Sequence, residues 1–174
     1  MLENKNDEIA VTVLGVGNPI MGDDGVGLEL LSLVEASFSD PRVEYVDGGT
    51  SGMELLPVVQ SARRLLILDA VSGPVPGEVV ELPGDQIPRL LAAKLSPHQL
   101  GLLDIFAAAR LLGTEPDEVV VIGIVPEFVD VQVGLTPTIA ASLPDATAKA
   151  ISVLHLWLPM AHPHGSPVAH SMSA

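Results

Sequence analysis

Several short runs in this chain carry apolar side chains at nearly every position instead of at alternate ones: VTVLG at 11–15, RLLIL at 64–68 and EVVVIGIV at 118–125. A strand with one wet face alternates apolar and polar residues, so a strand that is apolar throughout needs cover on both faces. The segments between these runs are helical in pattern. Residues 25–37 place Val26, Leu30, Leu33 and Val34 at helical spacing, and further helices are expected from Pro97 to about Leu112 and from Pro137 to about Trp157. A second strand is expected at 42–46 and an edge strand at 78–82, with short helices ending near 57–60 and spanning 86–93. Strands alternating with helices predict an α/β fold: a single three-layer α/β/α domain around a mostly parallel, twisted sheet. The domain is expected at 11–158, between a polar tail at 1–10 and a disordered tail at 159–174, with no repeat and no internal linker.

Helix starts are signalled locally. Ser51-Gly-Met-Glu54 has the spacing of a capping box. Ser96-Pro97-His98-Gln99 offers Ser as N-cap, Pro at the first helical position and Gln at the third, and Thr136-Pro137 repeats the cap-then-proline start. Pro144 is expected to kink or restart the last helix.

Charge and cysteine content exclude several function classes. With 22 acidic against 8 basic residues the formal charge is −14, so the field of the whole chain repels nucleic-acid phosphates and anionic membranes and attracts metal ions or basic peptide segments. Zero cysteines remove disulfides, thiolate nucleophiles and Cys-rich metal sites, leaving His, Asp, Glu and backbone as metal donors. MLENKNDEIA has no apolar signal core, and the apolar runs are too short to span a bilayer, so a soluble cytoplasmic protein is expected.

Three side chains fall at expected chain bends: Asp24 in GNPIMGDDGVG, Asp69 closing RRLLILDA, and His98 in LSPHQLG. Loop edges of α/β folds collect functional groups. Two hard oxygen donors and one imidazole can form an open metal site with positions left for an exchangeable ligand. Asp23 and Asp24 share two tasks, capping the following helix and facing the cleft, and pattern alone does not assign them. Asp69 follows an apolar strand, so its carboxylate must reach solvent, a hydrogen-bond network or a cation. His98, in the first turn of a helix, meets the positive end of the dipole, which favours the neutral, metal-binding imidazole; it can equally be a helix-start residue and no more. Gly15-Val-Gly17 after a strand invites a nucleotide-binding reading, but Ile20 stands where the third glycine of the fingerprint belongs. His155 reads as a surface or packing residue, and His162, His164 and His170 fall in the C-terminal tail. No G-x-S-x-G elbow or H-E-x-x-H helix is present.

Taken in order, GVGNPIMGDDGVG, VDGGTSGMELL, LLILDA, LSPHQLGLLDIFAAARLLG, VVVIGIVPE and VGLTPT resemble the hydrogenase maturation endopeptidases, from about Val11 to Leu158. The SPHQLG stretch resembles the branch that serves uptake-type nickel–iron hydrogenases. The resemblance implies an endopeptidase that removes a C-terminal extension from the hydrogenase large-subunit precursor once nickel has been inserted. It implies that Asp24, Asp69 and His98 contact that nickel, which the precursor carries and the enzyme does not keep. The position of Asp24 is often Glu in the family, so one ligand arm is shorter here. Asp47, in the DGGT motif, is implied in precursor recognition or in the cleavage chemistry. Hydrolysis would use either a nickel-polarised carbonyl or a water activated by one of Asp24, Asp47 or Asp69 as general base. A monomer is expected. The alternative function is a non-catalytic chaperone that binds nickel or the precursor without cutting it.

Overall fold

A computed structural model describes residues 9–86 and 97–158, the stretch 97–101 by its backbone alone. The strands are β1 (Val11–Val16), β2 (Val43–Gly49), β3 (Arg64–Ala70), β4 (Val79–Pro83) and β5 (Glu118–Ile124). The helices are α1 (Val26–Ser37), α2 (Leu56–Ser61), α3 (Pro97–Leu112) and α4 (Pro137–Trp157). One sheet runs in the order β2-β1-β3-β5-β4. All neighbours pair parallel except β4, which closes the edge antiparallel to β5.

The apolar strands are buried on both faces, as their composition requires. Val11, Val13, Leu66 and Leu68 pack with Leu30 and Val34 of α1 and Ile139 and Leu154 of α4. Their strand neighbours Leu14, Val16, Leu65 and Ile67 point the other way, onto Val59 of α2 and Leu102 and Ile105 of α3. The result is the expected three-layer sandwich. Burying two separate apolar layers at roughly 25 cal/mol per Å2 is the main term that holds it together.

The topology follows from the handedness of crossovers. Strand β2 lies on one side of β1 and β3 on the other. Two right-handed crossovers that run in opposite lateral directions must pass over opposite faces, which puts α1 on one and α2 on the other.

Local signals succeed where they agree with this packing. Thr136 caps α4, its Oγ1 accepting from the Ile139 N–H at 3.4 Å, and Pro137 follows at the first helical position. The helix then runs as one element through Pro144, whose side is exposed. The capping box at Ser51–Glu54 does not form. Ser51 N–H donates instead to Gly48 O at 2.9 Å, and the chain makes a 3-10 turn (Met53–Leu55) without a side-chain cap before Pro57 starts α2. Backbone turn closure there uses the donor geometry the box would need. The helix expected at 86–93, the Ser96 cap, the tail from 159 and most of the N-terminal tail lie outside the described residues.

Candidate active site

Strand β1 feeds α1 on one face of the sheet, while its neighbour β3 leads, by way of β4, to α3 on the other. Between two such strands the carboxyl ends border a crevice, the usual ligand position in an open α/β sheet. The ladder between them ends at the pair Gly15–Leu68, whereas β3 continues beside β5 through Asp69–Gly123 and Ala70–Ile124. Asp69 therefore stands just past the last β1 contact. Alternation puts its side chain on the face of Leu65 and Ile67, the face that α3 covers.

Asp69 is buried, with 1% of its surface exposed. Its Oδ1 accepts from the Ala70 N–H at 2.7 Å. A carboxylate so placed, one residue beyond an apolar strand core, is held where desolvation makes a cation a favourable partner.

The loop after β1 packs the turn that carries Asp24 against β3. Two glycines make this approach possible. A Cβ on Gly17, whose φ is +141°, would sit 2.0 Å from the Asp24 carbonyl oxygen, and one on Gly27 would sit 2.1 Å from Val16 O and 2.3 Å from Leu68 O. The Asn18 N–H donates to that same Asp24 carbonyl at 3.2 Å. The 3-10 turn Gly22–Gly25 thus lies against β3, with Asp24 buried at 5% exposure just before the first turn of α1. The helix dipole there favours a negative charge.

Asp23 and Asp24 divide their work in a way the sequence left open. Asp23 is fully buried and points away to the loop between β5 and α4. Its Oδ2 accepts from the N–H groups of Glu127 (3.0 Å) and Phe128 (2.9 Å) and from the Thr136 hydroxyl (3.0 Å). Its Oδ1 accepts from the Thr136 N–H at 2.7 Å. The N-cap of α1 is Gly25, with no side-chain cap bond, so Asp23 is not the helix cap. The two loops are joined further by Gly22 N–H to Gln132 O (2.8 Å), Gln132 N–H to Ile20 O (3.1 Å) and a bridge between Met21 and Gln132. Asp23 is therefore a structural clasp, and Asp24 is the next residue of the same buried turn.

Asp47 occupies the same rim but another part of it. It pairs with Gly15 on β2, the edge strand, so β1 lies between it and β3, roughly 10 Å away in sheet spacing. Gly48 faces Leu14 and Val16, which puts the Asp47 side chain on the α1 side, opposite to that of Asp69. It is exposed, and its Oδ1 accepts from the Gly49 N–H at 2.9 Å. His98 is the second residue of α3, the helix covering the Asp69 face; its side chain lies outside the described residues. Among the described residues no three His, Asp or Glu side chains gather as a metal site. His155 packs edge-on against Phe38, ring centroids 5.1 Å apart, as a surface packing residue.

What the sequence reading missed is the loop from Glu127 to Leu135. Its pattern, EFVDVQVGL, is apolar without a helical period, yet only Leu135 packs against a core while Phe128, Val129, Val131 and Val133 stay exposed. That mismatch was the available signal.

A family model described as "Hydrogenase maturation protease" matches residues 28–153. The hydrogenase 2 maturation protease of Escherichia coli K12 is 37% identical over 147 residues, covering 83% of this chain and 90% of that protein. The hydrogenase expression/formation protein HupD of Rhodobacter capsulatus is 36% identical over 151 residues, covering 84% of this chain and 72% of its own length. Among solved structures, the hydrogenase maturating endopeptidase HybD from E. coli superimposes with a TM-score of 0.80 at 35% identity, over 85% of this chain and 93% of that one. Fold and sequence agree, and the chain belongs to the hydrogenase maturation protease family.

Proposed function

We propose that this chain is the endopeptidase that removes the C-terminal extension of a nickel–iron hydrogenase large-subunit precursor, and that nickel already seated in the precursor is what it recognises. The observation that carries the reading is a pair of buried carboxylates, Asp69 at the end of β3 and Asp24 in the turn that packs against β3. With His98 from the first turn of α3 they offer two oxygen donors and one imidazole, a set suited to a divalent transition metal. Three donors leave coordination positions for the precursor's own ligands, which fits nickel as cargo of the substrate and not as a resident cofactor. Asp47, exposed at the rim, is positioned to meet the precursor chain or to accept the proton of an attacking water. The scissile amide is cleaved by water: its carbon gains the water oxygen, and the departing nitrogen takes up a proton. A carboxylate of the rim serves as general base, or the nickel polarises the carbonyl. The working unit in this reading is a monomer in the cytoplasm.

Incubating the protein with nickel-loaded precursor and weighing the large subunit tests this reading. Loss of the extension's mass is expected. An unchanged mass with retained binding would leave a chaperone instead. Asp69→Asn keeps the size and an acceptor for the Ala70 N–H but removes the charge, so a folded variant that no longer processes is expected; full activity would remove Asp69 from the site.

A further inference from the structure

Five large apolar side chains crowd the two loops that Asp23 clasps together: Ile20 (58% exposed), Phe128 (41%), Val129 (47%), Val131 (80%) and Val133 (86%). Single exposed apolar residues are ordinary, but a contiguous group of this kind marks an interaction surface. The group sits on two joined loops: the Gln132 N–H donates to Ile20 O, the Phe128 N–H donates to Asp23, and Val129 to Val133 belong to one loop. It is also held in shape. The Asp23 carboxylate accepts four hydrogen bonds from the second loop, which fixes one loop against the other.

We infer that this ledge is the docking surface for the precursor's C-terminal extension, bound as an extended apolar segment carrying Lys or Arg. The inference rests on the function proposed above and adds the place where the peptide lies. The ledge adjoins the candidate active site along the chain, since Asp24 follows the clasp residue Asp23 directly in the turn Gly22–Gly25. Its charge is complementary to a basic segment: Glu127 and Asp130 border it, both exposed, and the chain as a whole carries −14. An apolar ledge supplies affinity and the acidic border supplies steering, so a peptide that satisfies both is drawn past Asp24 toward Asp69.

The test is a double variant, Val131→Ser with Val133→Ser, at two highly exposed positions where exchanging the two methyl groups for one hydroxyl costs the fold little. Binding of nickel-loaded precursor and its cleavage are measured separately. The precursor concentration for half-saturation should rise roughly tenfold, with turnover at saturation within about twofold of the starting protein. Leu111→Ser, at an 89% exposed position at the far end of α3, should change neither quantity. Added salt should weaken binding by the starting protein, and salt-insensitive binding would rule out the basic component. If the starting protein cleaves and the double variant saturates at the same concentration, the ledge is not the docking surface and the protease reading stands. If the starting protein binds through the ledge but does not cleave, the ledge stands and the protease reading falls. If it neither binds nor cleaves, both fall.

Discussion

Asp23 and Asp24 are neighbours with the same side chain, and what makes Asp23 a clasp lies in residues more than a hundred positions away. Asp23 meets Glu127, Phe128 and Thr136, contacts 104 to 113 residues distant in sequence. No local pattern reports such a contact, so the clasp was not legible before the fold was known. The position of Asp69 was legible, because a carboxylate directly after an apolar strand has few places to go. Both oxygens of Asp23 face N–H donors, so an amide in its place turns an NH2 toward at least one of them whichever way it flips. Asp23→Asn is therefore expected to cost about 2 kcal/mol, read as a lower denaturation midpoint; an unchanged midpoint would show that the clasp is not a structural bond. A second residue-scale expectation concerns Tyr45, the single tyrosine of the chain. Its hydroxyl donates to Phe38 O at 2.7 Å. Burial first, and then the charges of Glu35 and Asp40, push its pKa up to about 12. Because the folded value lies above the unfolded value of about 10, this contribution to stability is full below about pH 10 and is lost as pH rises through about 12. An absorbance titration of the tyrosinate should show a midpoint near 12 in the folded protein, and a midpoint near 10 would contradict the burial.

Strands were the most readable elements, because burial on both faces leaves a continuous apolar run that no helix or loop would carry at that length. Strand β3 still extends beyond its apolar core to include Asp69, since pairing with β5 continues after pairing with β1 stops. Helix starts were readable where one residue settles the matter, as at Thr136, and misread at Ser51, where the turn from β2 competes for the same backbone groups. Glycine positions in α1 set the crevice more than the helix pattern does. Gly27 seats α1 directly on the carbonyls of Val16 and Leu68, the strand ends that border the site. Gly27→Ala forces a methyl group against backbone that cannot turn aside, so a loss of roughly 3 kcal/mol is expected together with lost processing. Thermal melts and the cleavage assay check this, and a variant of normal stability and activity would mean that α1 does not set the position of Asp24.

At the scale of the whole molecule the described residues form a two-faced sandwich, with the candidate carboxylates Asp24 and Asp69 near the carboxyl ends of β1 and β3. Two apolar layers fix the strand ends, and the strand ends fix two carboxylates of different parentage, one from a loop and one from a strand. The strong negative charge, visible in composition alone, acts at this scale by attracting cations and repelling anions. Among the described residues no helix is long and apolar enough to cross a membrane. Membership of the hydrogenase maturation proteases was legible from motif order, while the apolar ledge beside the site became visible only when the two loops were seen clasped together. The most direct measurement compares cleavage of nickel-loaded and metal-free precursor by the same preparation, followed by mass. If Asp24, Asp69 and His98 read nickel in the substrate, the loaded precursor loses its extension and the metal-free precursor stays intact. Cleavage of both at equal rates would contradict a site that recognises the metal.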